Sequence, residues 1–186
     1  MEVKKCSVEK YYQLAEQGIF ANVRVELIEG VITEKLSLTP LEATAISLAS
    51  DVLRKVFGKD FTCSIRLPLR FGEFSEPEPE VYVSKGKPRD FLNSHPKIAE
   101  IVFEVSEQLL DYLRNYKSSL YAKFNIQDYW ILDLKNRTLE VYRLPIEDDN
   151  AFYGFAYEEK LTFNETKEVS PLAMPEAKIK IADLLP

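Results

Sequence analysis

From Val23 to Ile32 the chain alternates, with Val23, Val25 and Leu27 on one side and Arg24, Glu26 and Ile28 on the other, around the dipeptide Glu29-Gly30. A period of two broken by a glycine-bearing turn predicts a β-hairpin. The period changes from Thr39-Pro40 to Phe57, where Ala45, Leu48, Val52, Leu53 and Val56 recur at helical spacing and Gly58 ends the run. Threonine before proline at the start and glycine at the end predict a helix there. A shorter amphipathic helix is predicted behind Ser7, which can cap it, with Lys10, Tyr11 and Leu14 on a common face before Gly18.

Extended segments follow. Thr62 to Phe71 reads as a strand edged by Pro68, and Ser75-Glu76-Pro77-Glu78-Pro79 as a stiff approach to a strand at Glu80 to Val83. Ile98 to Val105 and Tyr129 to Leu134 are nearly continuous apolar runs of the kind buried on both faces, and Leu109 to Phe124 between them is helical. A helix joining two apolar strands implies a crossover within one mixed sheet. The second run turns at Lys135-Asn136 into a strand at Thr138 to Arg143. Residues 145 to 151 read as an acidic loop, followed by two or three peripheral strands and a short ending at Ile181 to Leu185. The expected fold is α/β (α+β), a central mixed β-sheet flanked by helices, with residues 1 to 186 forming one domain.

Composition narrows the function classes. With 186 residues and 46% hydrophobic content, the chain can bury one substantial core. No apolar run is long enough to cross a bilayer, and the beginning Met-Glu-Val-Lys-Lys-Cys lacks a secretory apolar stretch, so a soluble cytoplasmic protein with no membrane partner is expected. Cys6 and Cys63 alone offer little for a disulfide framework or a cysteine zinc site, and both are expected reduced. A net charge of −6 and a pI near 5.0 argue against a protein that coats nucleic acid. Lys85, Lys87, Arg89 and Lys97 form a local basic stretch, a pattern that is usually a solvated loop.

Against this background four polar residues on apolar segments stand out: Glu80 ahead of Val81-Tyr82-Val83, Glu104 after Ile101-Val102-Phe103, then Ser106 and Lys117. Two carboxylates on neighbouring strands with a lysine from the next helix are the parts that hold a divalent metal against a phosphodiester. Each alone has a bland reading: a strand-start acid, a sheet-edge acid, a solvated helix lysine. Tyr129, Trp130 and Asp133 read as core and turn residues. His95, the only histidine, stands beside Pro96 and gives no histidine metal site or cysteine-histidine pair with Cys63. Paired carboxylates also serve glycosidases, but nothing else here resembles one. No glycine-rich phosphate loop is present.

In joint order, Glu26-Leu27-Ile28-Glu29-Gly30, Pro77-Glu78-Pro79-Glu80-Val81, Phe103-Glu104-Val105-Ser106, Arg114 with Lys117, Tyr121-Ala122 and Tyr129-Trp130-Ile131-Leu132-Asp133 resemble the Uma family of bacterial restriction-endonuclease-like proteins, within the PD-(D/E)xK nuclease superfamily. The resemblance spans about Val23 to Arg143. It implies a restriction-endonuclease-like fold and an endonuclease that hydrolyses DNA with Mg²⁺, or Mn²⁺ in its place. The implied metal ligands are Glu80 and Glu104. Ser106 stands where the superfamily places lysine, two residues after the second acid, and Lys117 from the following helix is the implied substitute. Glu26 is implied as a third catalytic acid, touching a water or holding Lys117, and Ser106 as a donor to Glu104 or to a water. A homodimer is the expected assembly.

Three positions depart from the family pattern: Glu80 replaces aspartate, Glu42 stands where histidine is common, and Leu113 replaces an acid before Arg114. Magnesium tolerates misplaced ligands poorly, so the extra methylene of Glu80 bears directly on activity. The alternative expectation is a catalytically silent nuclease fold retained as a protein-binding or structural module.

Overall fold

The structure is a computed structural model that describes residues 5–186. Its centre is a six-stranded sheet in the order β3-β4-β5-β6-β7-β8, formed by β3 (Phe61–Ile65), β4 (Val81–Lys85), β5 (Ile101–Ser106), β6 (Asp128–Asp133), β7 (Thr138–Glu147) and β8 (Phe155–Asn164). Only the β5–β6 pair is parallel, which makes the sheet mixed and requires the predicted crossover.

Side-chain alternation along these strands divides the core between two faces. On one, α2 (Pro40–Phe57) packs Ala45, Ala49 and Leu53 against Val81, Phe103, Trp130 and Val141. On the other, α4 (Ser118–Lys123) packs Tyr121 and Ala122 against Tyr82, Val102, Tyr129 and Ile131. Glu104 shares the second face with Val102, because side chains two apart on a strand point the same way.

The helix starts follow from local chemistry. Ser7 Oγ accepts the Lys10 N–H at 3.2 Å and opens α1 (Val8–Glu16). Thr39 and Glu42 cap α2 reciprocally, each side chain bonded to the other's backbone N–H, with Pro40 in the first turn. Glu42 is therefore a helix-capping residue.

The hairpin forms from β1 (Val25–Ile28) and β2 (Val31–Glu34), turning through Glu29 and Gly30 at φ 49° and 83°. Both values lie in the left-handed region that a tight hairpin turn demands. A Cβ on Gly30 would also sit 2.5 Å from Lys5 Cβ. Gly30→Ala is expected to lower stability by about 1–2 kcal/mol from backbone strain alone, with the clash adding to it, as read by urea denaturation.

Several boundaries differ from the sequence pattern. The strand from Thr62 stops at Ile65, because Arg66 turns the chain at φ 50° and Leu69 then bonds back to Pro77. The apolar run from Ile98 becomes strand only at Ile101, Ile98 being exposed. The expected acidic loop at 145–151 is partly strand: β7 continues to Glu147, paired with Phe155, so its first residues follow the ladder rather than their charge. The single helix expected over Leu109 to Phe124 is broken into α3 (Leu110–Tyr112), a wide π turn (Leu113–Lys117) and α4. At the C-terminal end β9 (Glu168–Val169) and β10 (Ile179–Lys180) form the expected peripheral strands, followed by a short helical turn at Ile181–Leu184. No helix among the described residues is long and apolar enough to cross a membrane.

Candidate active site between the hairpin, the central strands and the π turn

Four chain segments meet at one end of β4 and β5. Antiparallel pairing sets Val81 opposite Phe103, and one step further Glu80 lies beside Glu104. The Glu80 N–H donates to Glu104 Oε2 at 3.1 Å, which locks the two residues together. Glu80 therefore precedes the strand instead of lying inside it, while Glu104 sits within β5 and is almost fully buried. The β1–β2 hairpin is tied to the Glu76–Glu78 segment by backbone bonds between Leu27 and Glu76, which brings Glu26 in from the side. Glu26 Oε2 accepts the Glu78 N–H at 3.0 Å.

The π turn supplies the cation. Such turns are rare, recur at functional sites and shift the side chains that follow relative to a regular helix. Here Lys117, at the end of the turn, is 3% exposed. Its Nζ donates to Glu26 Oε2 at 2.7 Å, lies 3.3 Å from Glu104 Oε1 and reaches Tyr121 Oη at 3.4 Å. Tyr121 in turn donates to Glu104 Oε1 at 2.9 Å. Arg114 anchors the turn from outside, its Nε donating to both Glu140 oxygens at 3.0 and 3.1 Å and its terminal nitrogen to Asp133.

Glu26, Glu80, Glu104 and Lys117 thus line one pocket, as the sequence implied. The sequence reading missed the two cations on the far side of Glu80. Lys35, just after β2, donates to the Glu78 carbonyl and lies 3.4 Å from Glu80 Oε1; Arg66 Nε lies 3.0 Å from Glu80 Oε2. Neither residue belongs to a recognisable sequence pattern, so no local signal marked them. Ser106 shows an acceptor role that the sequence did not suggest. Its Oγ accepts the N–H groups of Gln108 and Leu109 at 3.0 and 2.8 Å, closing a turn ahead of α3. The basic stretch at Lys85, Lys87 and Arg89 follows the opposite end of β4, about 15 Å of strand from Glu80.

Electrostatics separate the acids. Burial pushes Glu26 up, but Lys117 and Lys35 outweigh it and hold the carboxyl below its ordinary range. Burial also raises Glu80; Lys35 and Arg66 oppose that and the Glu104 charge adds to it, leaving the Glu80 carboxyl above its ordinary range. Burial alone would lower Lys117, yet Glu26 and Glu104 hold its ammonium well above the ordinary lysine value.

A family model described as "Uma2: Putative restriction endonuclease" matches residues 8–182. The chain belongs to the Uma2 family. A crystal structure described as "a putative nuclease belonging to DUF820" from Anabaena variabilis ATCC 29413 superposes with a TM-score of 0.71, covering 96% of both chains at 19% identity. That likeness is one of fold: the α/β architecture of this Uma2 chain is restriction-endonuclease-like. No curated protein matches the chain.

The residues of this Uma2 site can be tested against the metal the family implies. All the donors are carboxylate oxygens, the type hard cations prefer. Glu80 Oε2 is buried and makes no hydrogen bond, since Arg66 Nε approaches it without the alignment a bond requires. That oxygen is held by the charge of Arg66 at 3.0 Å without a directed hydrogen bond, so its lone pairs have no donor aimed at them. Among the described residues no group of three or more His, Cys, Asp or Glu is arranged to hold a metal ion. Magnesium commonly takes one or two carboxylates and completes its shell with water and phosphate, so the Glu80–Glu104 pair fits in type and number.

Proposed function

We propose that this Uma2 protein is a Mg²⁺- or Mn²⁺-dependent endonuclease that hydrolyses DNA phosphodiester bonds, with Glu80 and Glu104 as metal ligands and Lys117 and Glu26 completing the catalytic group. The reading is carried by one observation: Glu26, Glu80, Glu104 and Lys117, from separate segments, line one pocket. Burying such ions is expensive, and an apolar cluster would stabilise the same fold at least as well. Retaining them favours chemistry.

When bound, the divalent ion supplies Lewis-acid polarisation of the phosphate. The chain's own groups do the rest. Because Lys117 stays protonated across the neutral range, it cannot accept a proton there; it orients the attacking water or neutralises the charge developing on phosphate. Glu26 fixes that ammonium at 2.7 Å, and Tyr121 fixes the Glu104 carboxylate at 2.9 Å.

Purified protein is expected to nick or cut plasmid DNA with Mg²⁺ or Mn²⁺ and to stop on chelation. Glu104→Gln should lower cleavage by a factor on the order of 10²–10³, the usual scale for loss of one electrostatic group. Glu80→Asp should raise it, by restoring the shorter acid of the family pattern. Intact plasmid with every metal, together with no ion binding by calorimetry, would overturn the reading.

A specific observation supports a second reading, a silent nuclease fold serving as a binding or structural module. Lys35 and Arg66 already neutralise Glu80 without a metal. The same plasmid and calorimetry experiments separate the two.

A further inference from the structure

The buried charges around Glu80 and Glu104 balance before any ion arrives, while Glu34 and the capping Glu42 add two further carboxylates to the pocket lining. Three buried carboxylates, Glu26, Glu80 and Glu104, are matched by the three cations Lys35, Arg66 and Lys117. A divalent ion placed between Glu80 and Glu104 would therefore leave a buried excess of positive charge, which is strongly unfavourable in a low-dielectric setting. Binding requires either an incoming anion or the departure of a resident cation.

The three cations are not equally able to leave. Lys117 is held by Glu26, Glu104 and Tyr121, with its side chain 3% exposed. Arg66 follows β3, and its backbone is fixed on both sides: its N–H donates to the Glu80 carbonyl at 3.1 Å, and its own carbonyl accepts from Arg24. Of the two cations on Glu80, Lys35 lines the pocket and Arg66 does not. Lys35 sits in the connection from β2 to α2, followed by the exposed Leu36, and its ammonium makes one hydrogen bond, to the Glu78 carbonyl, beside a 3.4 Å ion pair with Glu80 Oε1. A lysine is also a mobile, strongly hydrated charge that can withdraw to solvent on a four-carbon stem.

We propose that Lys35 is a positioning residue that occupies the cation side of the Glu80 carboxylate in the free protein, so that without an incoming anion a divalent ion loads the site by displacing the Lys35 ammonium. The proposal rests on Glu80 and Glu104 being the metal ligands. It assigns Lys35 a competitive role: the lysine keeps Glu80 oriented and paired when no metal is present, and its departure restores the charge balance once the ion enters.

Calorimetric titration of the full chain with MnCl₂, without nucleic acid, tests this. Lys35→Met should bind Mn²⁺ at least about tenfold more tightly than the unmodified protein, corresponding to about 1.4 kcal/mol. Lys35→Arg keeps the charge and should bind as weakly as the unmodified protein, a distinction that a purely structural role for the side chain would not produce. Adding Glu80→Gln to Lys35→Met should abolish the gain and so locate the ion. Should Lys35→Met melt below the assay temperature, Lys35→Gln removes the same charge. Unchanged or weaker Mn²⁺ binding by a folded charge-removed variant, including no binding heat in any protein, would overturn the proposal. The nuclease reading fails separately: tighter ion binding with intact plasmid leaves the Lys35 competition standing, and metal-dependent cutting with unchanged affinity removes only the competition.

Discussion

Lys117→Met is expected to destabilise the protein by about 3–5 kcal/mol at neutral pH and to abolish any metal-dependent cleavage, because it strips the closest cation from two buried carboxylates. The stability loss should depend on pH with a defined sign. In the native protein the Glu26 carboxyl lies below its ordinary value, so its contribution is present above the unfolded value of 4.5 and drains away as pH falls through the lower folded one. Lys117 lies above 10.5, so its contribution is complete below that value and is lost only as pH rises through the higher folded one. Between about pH 5 and 10 the pair stabilises in full. Without the ammonium, burial dominates Glu26 and pushes its carboxyl upward, and protonation then relieves the buried charge. The difference between Lys117→Met and the native protein should therefore shrink on going from pH 7 to pH 5 in urea denaturation. An equal difference at both values would mean that the side chain matters only for packing.

Asp128→Ala should cost a comparable 3–5 kcal/mol through a different part of the molecule. Asp128 is fully buried at the start of β6 and accepts from Trp130 Nε1 at 2.6 Å, Arg143 Nε at 2.9 Å and the Leu172 N–H at 2.8 Å. Those bonds join β6, β7 and the C-terminal segment. Removing the carboxylate leaves an arginine, an indole N–H and a backbone N–H without this acceptor, and an unsatisfied buried donor costs more than a formed bond contributes. Asp128→Asn keeps one acceptor oxygen and should lose less. Urea midpoints give the ranking, and a loss below about 1 kcal/mol for the alanine variant would mean that water readily replaces the carboxylate.

Hydrophobic period and punctuation made most of the sheet legible. The apolar runs at Ile101 and Tyr129 became its central parallel pair, and Thr39-Pro40 with Gly58 bounded α2 closely. Elements were misjudged where a long-range partner outweighed local preference. Leu113–Lys117 widened into a π turn, with Arg114 clamped by Glu140 and Lys117 drawn to Glu26. Glu147 joined a strand despite its acidic neighbours, because Phe155 pairs with it.

At the candidate site, the order of motifs points to Glu26, Glu80, Glu104 and Lys117, which the fold brings to one pocket. That order could not reveal Lys35 or Arg66, which lie on other segments at no characteristic spacing from the acids, nor that the Ser106 oxygen would accept the Gln108 and Leu109 N–H groups in the turn before α3. Residue type and periodicity act over a few neighbours, so by themselves they determine where most strands and helices lie and which side chains can bind a cation. Strand register, the hairpin's docking on Glu76 and the widened turn act between segments far apart in the chain, and these tertiary contacts alone decided which charges meet and that the buried cluster is neutral.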